Sequence, residues 1–181
     1  SLIDGGLDEG SWMFAYDGDQ SLSGDISRGL EYLRTRSPGE YTLATNIRTP
    51  ASTCSMARAL TGLGGESTLR DVVPPQIVYY SNEFDAESGL KRILRYATKE
   101  LKYSPEEVLI LGPGSKSKTV FPGRKQKAGE WTIRVMKKGD PSPGHVGYAE
   151  IRRFKGLESP FIILTGLEGM DTRNDRNLLY V

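Results

Sequence analysis

Cysteine and histidine are almost missing from this chain, and each scarcity removes a class of chemistry. Of 181 residues one is a cysteine, Cys54, and one a histidine, His145. A single thiol excludes an internal disulfide and any multi-cysteine metal site. Cys54 falls in a helical-looking stretch and reads as a small buried hydrophobe. His145 follows Pro143 and Gly144 in an expected surface loop, so no histidine-based dyad or metal cluster is expected. No apolar run approaches the length of a membrane span, and the first residues lack the basic flank and apolar core of a signal peptide. An excess of charge is missing too: the net charge is +1, which points to no class of partner.

What is present suits a globular, cytoplasmic protein of one domain or one domain and part of another, with 37% hydrophobic and 26% charged residues. The chain opens without methionine and stops on Leu178, Leu179, Tyr180 and Val181, so a piece of a longer protein is expected. Charge is unevenly spread. Residues 116–138 are strongly basic, with Glu130 alone opposing, and residues 4–25 are mainly acidic.

The hydrophobic pattern reads as alternating strands and helices. Residues 12–16 form a short apolar run expected to be a buried strand, residues 25–36 a helix with Ile26, Leu30 and Leu33 on one face and Asp25 as cap, and residues 41–43 another strand. Pro50 opens a helix to about residue 63, because its missing N–H costs nothing in a first turn, and Gly62, Gly64 and Gly65 stop it. Residues 64–75, rich in glycine and ending Pro74-Pro75, make a candidate linker. Beyond it a strand is expected at 76–80, a long amphipathic helix at 84–103, and wholly apolar strands at 108–111 and 160–165, with another strand at 146–151. Apolar strands alternating with helices imply an α/β fold with a parallel sheet covered on both faces.

Gly112 to Thr119 approximates a phosphate-binding loop, in which glycines let backbone N–H groups approach the phosphates and a lysine contacts them. Ser117 stands where the second glycine belongs, and Val120-Phe121-Pro122-Gly123 cannot start the helix that should hold the anion. The segment is read as an ordinary loop. Asp8-Glu9-Gly10 is likewise read as a solvated turn, since no hydrophobic strand precedes it to make a magnesium box.

Four other clusters are more informative. Residues 14–22, FAYDGDQSL, resemble the G-D-x-x-Q-S-I segment (motif III) of UvrD-like superfamily 1 DNA helicases, with Asp17 and Gln20 on matching positions. Residues 43–50, LATNIRTP, resemble the L-x-x-N-Y-R-S/T segment (motif IV). Residues 150–158, EIRRFKGLE, resemble T-x-H-x-x-K-G-L-E (motif V), and residues 177–181, NLLYV, are similar to the lead-in to motif VI. Each is weak alone, but their order and spacing follow that family along essentially the whole chain. Departures fall at Tyr16, where the family has glycine, at Ser23, where an aromatic stacks on a base, and at Glu150 and Arg152, which replace threonine and histidine. The short stretch from residue 111 to residue 150 leaves no room for the large accessory domain of many relatives.

The resemblance implies residues 1–70 as the end of a first RecA-like motor domain and 71–181 as a compact second one. It also implies an ATP-dependent DNA helicase as the complete protein, with the missing N-terminal motor domain, ATP with Mg2+ and single-stranded DNA as partners. Gln20 would sense the γ-phosphate or the attacking water, Arg48 would act as an arginine finger, and Glu158 would accept from a ribose hydroxyl. Lys155 and Gly156 would form the turn that brings Glu158 to the nucleotide, with Lys155 linking to the loop of Asp17 and Gln20. Arg152 and Arg153 would meet DNA phosphates, as would Lys125 and Lys127 of the basic segment. With no working phosphate loop, magnesium box or final arginine, the chain alone is expected to bind no cofactor tightly and not to hydrolyse ATP. The rival reading is a non-catalytic nucleic-acid-binding or regulatory module that keeps the motor fold. Gln20 and Arg48 argue against it, since binding needs neither.

Overall fold

Four parallel strands and one antiparallel strand carry most of the buried apolar side chains of this protein in its computed structural model. The structure describes residues 9–17, 27–36, 39–70, 73–113, 127–136, 143–168, 170 and 173–180. The chain divides into two compact units, Ser1–Pro75 and Gln76–Leu179.

In the first unit, helix α1 spans Ser27–Arg34 and buries no side chain completely. Leu30 and Leu33 are half-buried, while Asp25 and Ile26, the expected cap and third apolar contact, lie outside the described residues. Strand β1 (Thr45–Asn46), helix α2 (Ala51–Thr61) and strand β2 (Glu66–Ser67) form a minimal β-α-β unit in which the two strands pair in parallel. Pro50 precedes the first helical residue of α2, and the Gly62 N–H closes its far end on the Arg58 carbonyl at 2.8 Å. Gly65 is needed for the pairing: a Cβ there would lie 2.8 Å from the Ala44 carbonyl oxygen. Residues 66–67 thus belong to a sheet, although the glycine- and proline-rich segment around them reads as a linker.

Residues 12–16 and 41–43, expected as strands, carry no strand pairing here. Met13, Tyr41 and Leu43 are 94%, 88% and 86% exposed. Apolar content records a preference for burial, whereas a strand requires a neighbour to take its backbone hydrogen bonds. No second strand runs beside these segments among the described residues. The same correction applies to residues 76–80 in the second unit. They carry no strand pairing, and Tyr79 is largely exposed while Val78 packs toward Gly89.

The second unit holds the main core. Helix α3 (Glu83–Arg95) starts at Asn82, whose side chain accepts the Asp85 N–H at 3.0 Å. The expected helix to residue 103 changes pitch: Tyr96–Glu100 is a π turn, in which the Leu101 N–H reaches back five residues to the Tyr96 carbonyl. Lys102, at φ 65°, then ends the helical path. A short 3-10 turn at Pro105–Glu107 leads into β3 (Val108–Gly112), buried along its whole length. There the Glu107 carboxylate accepts the Ser104 N–H at 2.8 Å and the Ser104 hydroxyl at 2.9 Å. These donors, the backbone one first, hold the Glu107 carboxyl below its ordinary range.

Strands β4 (Lys127–Ala128) and β5 (Trp131–Val135) form a hairpin, followed by β6 (Val146–Glu150), a helical turn α4 (Ile151–Phe154), β7 (Phe161–Leu164) and helix α5 (Arg173–Tyr180). The sheet order is β4-β5-β6-β3-β7, parallel except for the β4–β5 pair. Alternate residues Val108, Ile110, Ile133, Val146, Tyr148 and Ile163 meet Leu90, Leu94 and Ala97 in one cluster. Leu94 and Ile110 are fully buried, each contributing about 1.5–3 kcal/mol of transfer free energy. β7 departs from the expectation of full burial: Ile163 is buried, but Ile162 and Leu164 are over two-fifths exposed. It is an edge strand of the described sheet, and apolar residues alone do not distinguish an edge from a centre. The whole is an α/β protein with a mostly parallel five-stranded sheet. No described helix is long and apolar enough to cross a membrane.

Candidate functional site

Arg48 sits in a turn immediately past the carboxyl end of β1, and local hydrogen bonds account for its placement. The Asn46 side-chain oxygen accepts the N–H groups of Arg48 at 2.8 Å and Thr49 at 2.9 Å, the side-chain-to-backbone turn that asparagine favours. The Thr49 carbonyl accepts the Ser67 hydroxyl at 2.5 Å and the Cys54 thiol at 3.6 Å. The Ala51 N–H donates to the Leu69 carbonyl at 3.1 Å, tying the start of α2 to the chain beyond β2. The Arg48 side chain is exposed. Asp17 is exposed at the end of a described segment. Gln20, expected beside it in the same loop, lies outside the described residues.

In the second unit, the segment resembling motif V runs from the carboxyl end of β6 to the start of β7. Ile151 and Phe154 are buried and pin the helical turn α4 to the core, which turns Arg152 and Arg153 outward. The Arg153 Nε lies 3.5 Å from the Glu150 carboxylate. Leu157 closes the turn by donating to the Phe154 carbonyl at 2.9 Å, and Gly156 has φ 78°, a conformation that strains any residue with a Cβ. Lys155, Gly156 and Glu158 are all exposed along this loop. The loop is fastened beyond Glu158 by the Ser159 hydroxyl, which donates to the Glu107 carbonyl at 3.0 Å.

Lys127 is set apart from Arg152 and Arg153. It opens β4 opposite Thr132, next to the register position where Ile133 faces Val146, the first residue of β6. The two arginines follow the last residue of β6, so about five residues of strand, roughly 16 Å, separate the two levels. Residues 127–135 are therefore a sheet hairpin rather than part of a continuous basic loop, and Ala128, Trp131 and Ile133 are buried in the core. Lys125 and the approximate phosphate-loop residues 114–119 lie outside the described residues. Among the described residues no group of three or more His, Cys, Asp or Glu could hold a metal ion.

The sequence motifs included Asn46 without its positioning role, and left out Ser67 and Ser159. Asn46 had a local signal, an asparagine two residues before Arg48 at the start of a proline-initiated helix. Ser67 and Ser159 had none, because their partners lie 18 and 52 positions away.

In comparisons with known proteins, no protein-family model, no curated protein and no solved structure matches the chain.

Proposed function

We propose that this chain is part of an ATP-dependent, UvrD-like DNA helicase, supplying a RecA-like second motor domain and elements of the nucleotide and single-strand paths. The observation that carries the reading is shared by both units. Arg48, and the loop of Arg152, Lys155 and Glu158, each begin just beyond the carboxyl end of a parallel strand. Open α/β sheets bind their ligands at that end. The ordered motifs along the sequence supply the nucleotide and DNA assignments that geometry alone does not. Phosphoryl transfer is catalysed mainly by positioning and charge neutralisation, and an exposed guanidinium on a backbone held by Asn46 suits both. In this reading Arg48 stabilises the transferring phosphoryl group, Gln20 orients the water or senses the γ-phosphate, and Glu158 holds the ribose. Arg152 and Arg153 meet DNA phosphates. The rest of the catalytic set, including the groups that hold magnesium, belongs to other segments of the complete helicase.

The test is steady-state ATP hydrolysis by the complete helicase with single-stranded DNA. Arg48→Ala is expected to lower kcat by about 10³-fold while ATP binding changes little, and Arg48→Lys to restore little because an ammonium lacks the planar fork. Undiminished turnover in Arg48→Ala would remove the finger assignment and leave the binding-module reading as the better one.

A further inference from the structure

The side chain that acts on ATP in the proposed reading is only as well placed as the turn that carries it, and that turn is held from two sides. On the near side, the two N–H groups flanking the Arg48 α-carbon, its own and that of Thr49, converge on the Asn46 oxygen. On the far side, the Thr49 carbonyl points at β2, where the Ser67 hydroxyl takes it at 2.5 Å. β1 and β2 are two residues each, too short for their ladder alone to fix the turn that follows.

We propose that Ser67 is a positioning residue for Arg48: its hydroxyl, donated across the β1–β2 pair to the Thr49 carbonyl, fixes the backbone from which the guanidinium reaches the phosphates. The proposal rests on the helicase reading for its chemistry, but Ser67 lies outside every segment that carries the family resemblance. Without the hydroxyl, the Thr49 carbonyl keeps the Cys54 thiol at 3.6 Å, a weak donor at long range. The turn then samples orientations in which Arg48 is misplaced. Misplacement of a catalytic group by about 1 Å costs up to roughly 100-fold in rate. Because Arg48 would act on charge that develops only in the transition state, the loss belongs in kcat rather than in KM.

The experiment is a double-mutant cycle in the complete helicase, with residue-resolved amide exchange on the present chain as a readout independent of catalysis. Ser67→Ala is expected to lower kcat by about 10- to 100-fold with KM for ATP unchanged, and Ser67→Thr, which keeps the hydroxyl, to recover most of it. In the Arg48→Ala background Ser67→Ala is expected to have no further effect, since nothing remains to be positioned. In the chain itself Ser67→Ala should speed exchange of the Arg48 and Thr49 amides by roughly 3- to 10-fold, the range of one net hydrogen bond. Unchanged exchange at both amides overturns the proposal whether or not the complete enzyme folds. So does a Ser67→Ala loss that persists undiminished without Arg48, which would mark a general effect on the fold. A normal kcat in Ser67→Ala alongside a large loss in Arg48→Ala overturns the proposal and leaves the helicase reading standing. A normal kcat in Arg48→Ala removes both.

Discussion

At the scale of single residues, the proposed nucleotide contacts Arg48 and Glu158 differ in what the surrounding structure does for them. Arg48 is held by hydrogen bonds to its own peptide group and its neighbour's, and the Thr49 carbonyl that follows is taken by the Ser67 hydroxyl of β2, so the backbone that carries it is fixed from both sides. Glu158 is exposed on a loop fastened one residue later through Ser159, a bond made by the loop and not by its own peptide group. A ribose contact serves binding, and binding tolerates a small displacement of the loop better than transition-state stabilisation does. Glu158→Gln in the complete helicase is therefore expected to raise KM for ATP roughly tenfold, about 1.4 kcal/mol, and to leave single-strand affinity unchanged. With a 2′,3′-dideoxy nucleotide, wild type and variant should converge, because the hydroxyl partner is gone. A variant that loses DNA affinity and keeps its KM would place Glu158 on the strand path instead.

At the scale of elements, the sequence was legible where a local signal and the tertiary fold agree. Pro50 marks the start of α2, and the apolar run of β3, buried along its whole length, lies inside the sheet between β6 and β7, as its composition implies. The β4–β5 hairpin had its own signal, a glycine opening a two-residue connection between Ala128 and Trp131 with Ile133 in alternation. The density of lysine and arginine around it drew the reading toward a charged loop. The π turn after Arg95 was invisible, since a shift from a four- to a five-residue hydrogen-bond step leaves the hydrophobic pattern almost unaltered. The turn into β3 offers a test by pH. The Glu107 carboxyl is held below its ordinary value of 4.5 by the Ser104 N–H and hydroxyl, so the unfolded state binds the proton more readily. Stability from this pair is fully present above 4.5 and is lost as pH falls through the lower folded value. Thermal midpoints of wild type and Glu107→Gln should accordingly differ most near neutrality and draw together at acid pH. A difference that stays constant across that range would mean that Glu107 acts by packing and not by charge.

At the scale of the whole molecule, burial is distributed very unequally between the two units, and this sets an expectation for the chain as it stands. The second unit encloses a continuous cluster from Leu90 to Ile163, with Leu94, Ile110 and Val146 fully buried. In the first, Cys54 and Thr61 are buried, while Met13, Phe14, Tyr16, Tyr41 and Leu43 are exposed. Opening free energy follows buried apolar area and paired backbone, so the two units should not open together. In hydrogen exchange followed by mass spectrometry, amides of β3 and β6 should be the slowest, exchanging only through opening of the sheet. Those of residues 13–16 and 41–43, which have no strand partner among the described residues, should exchange much faster than those of the sheet. The β1–β2 pair and α2 should fall between, because their hydrogen bonds are made but little core lies over them. Uniform protection across residues 12–111 would show that the first unit gains cover in solution that its own described residues do not provide. The motif assignments would survive that outcome, since they rest on Arg48 and the loop after β6. The lack of a strand partner for residues 12–16 and 41–43 among the described residues would not.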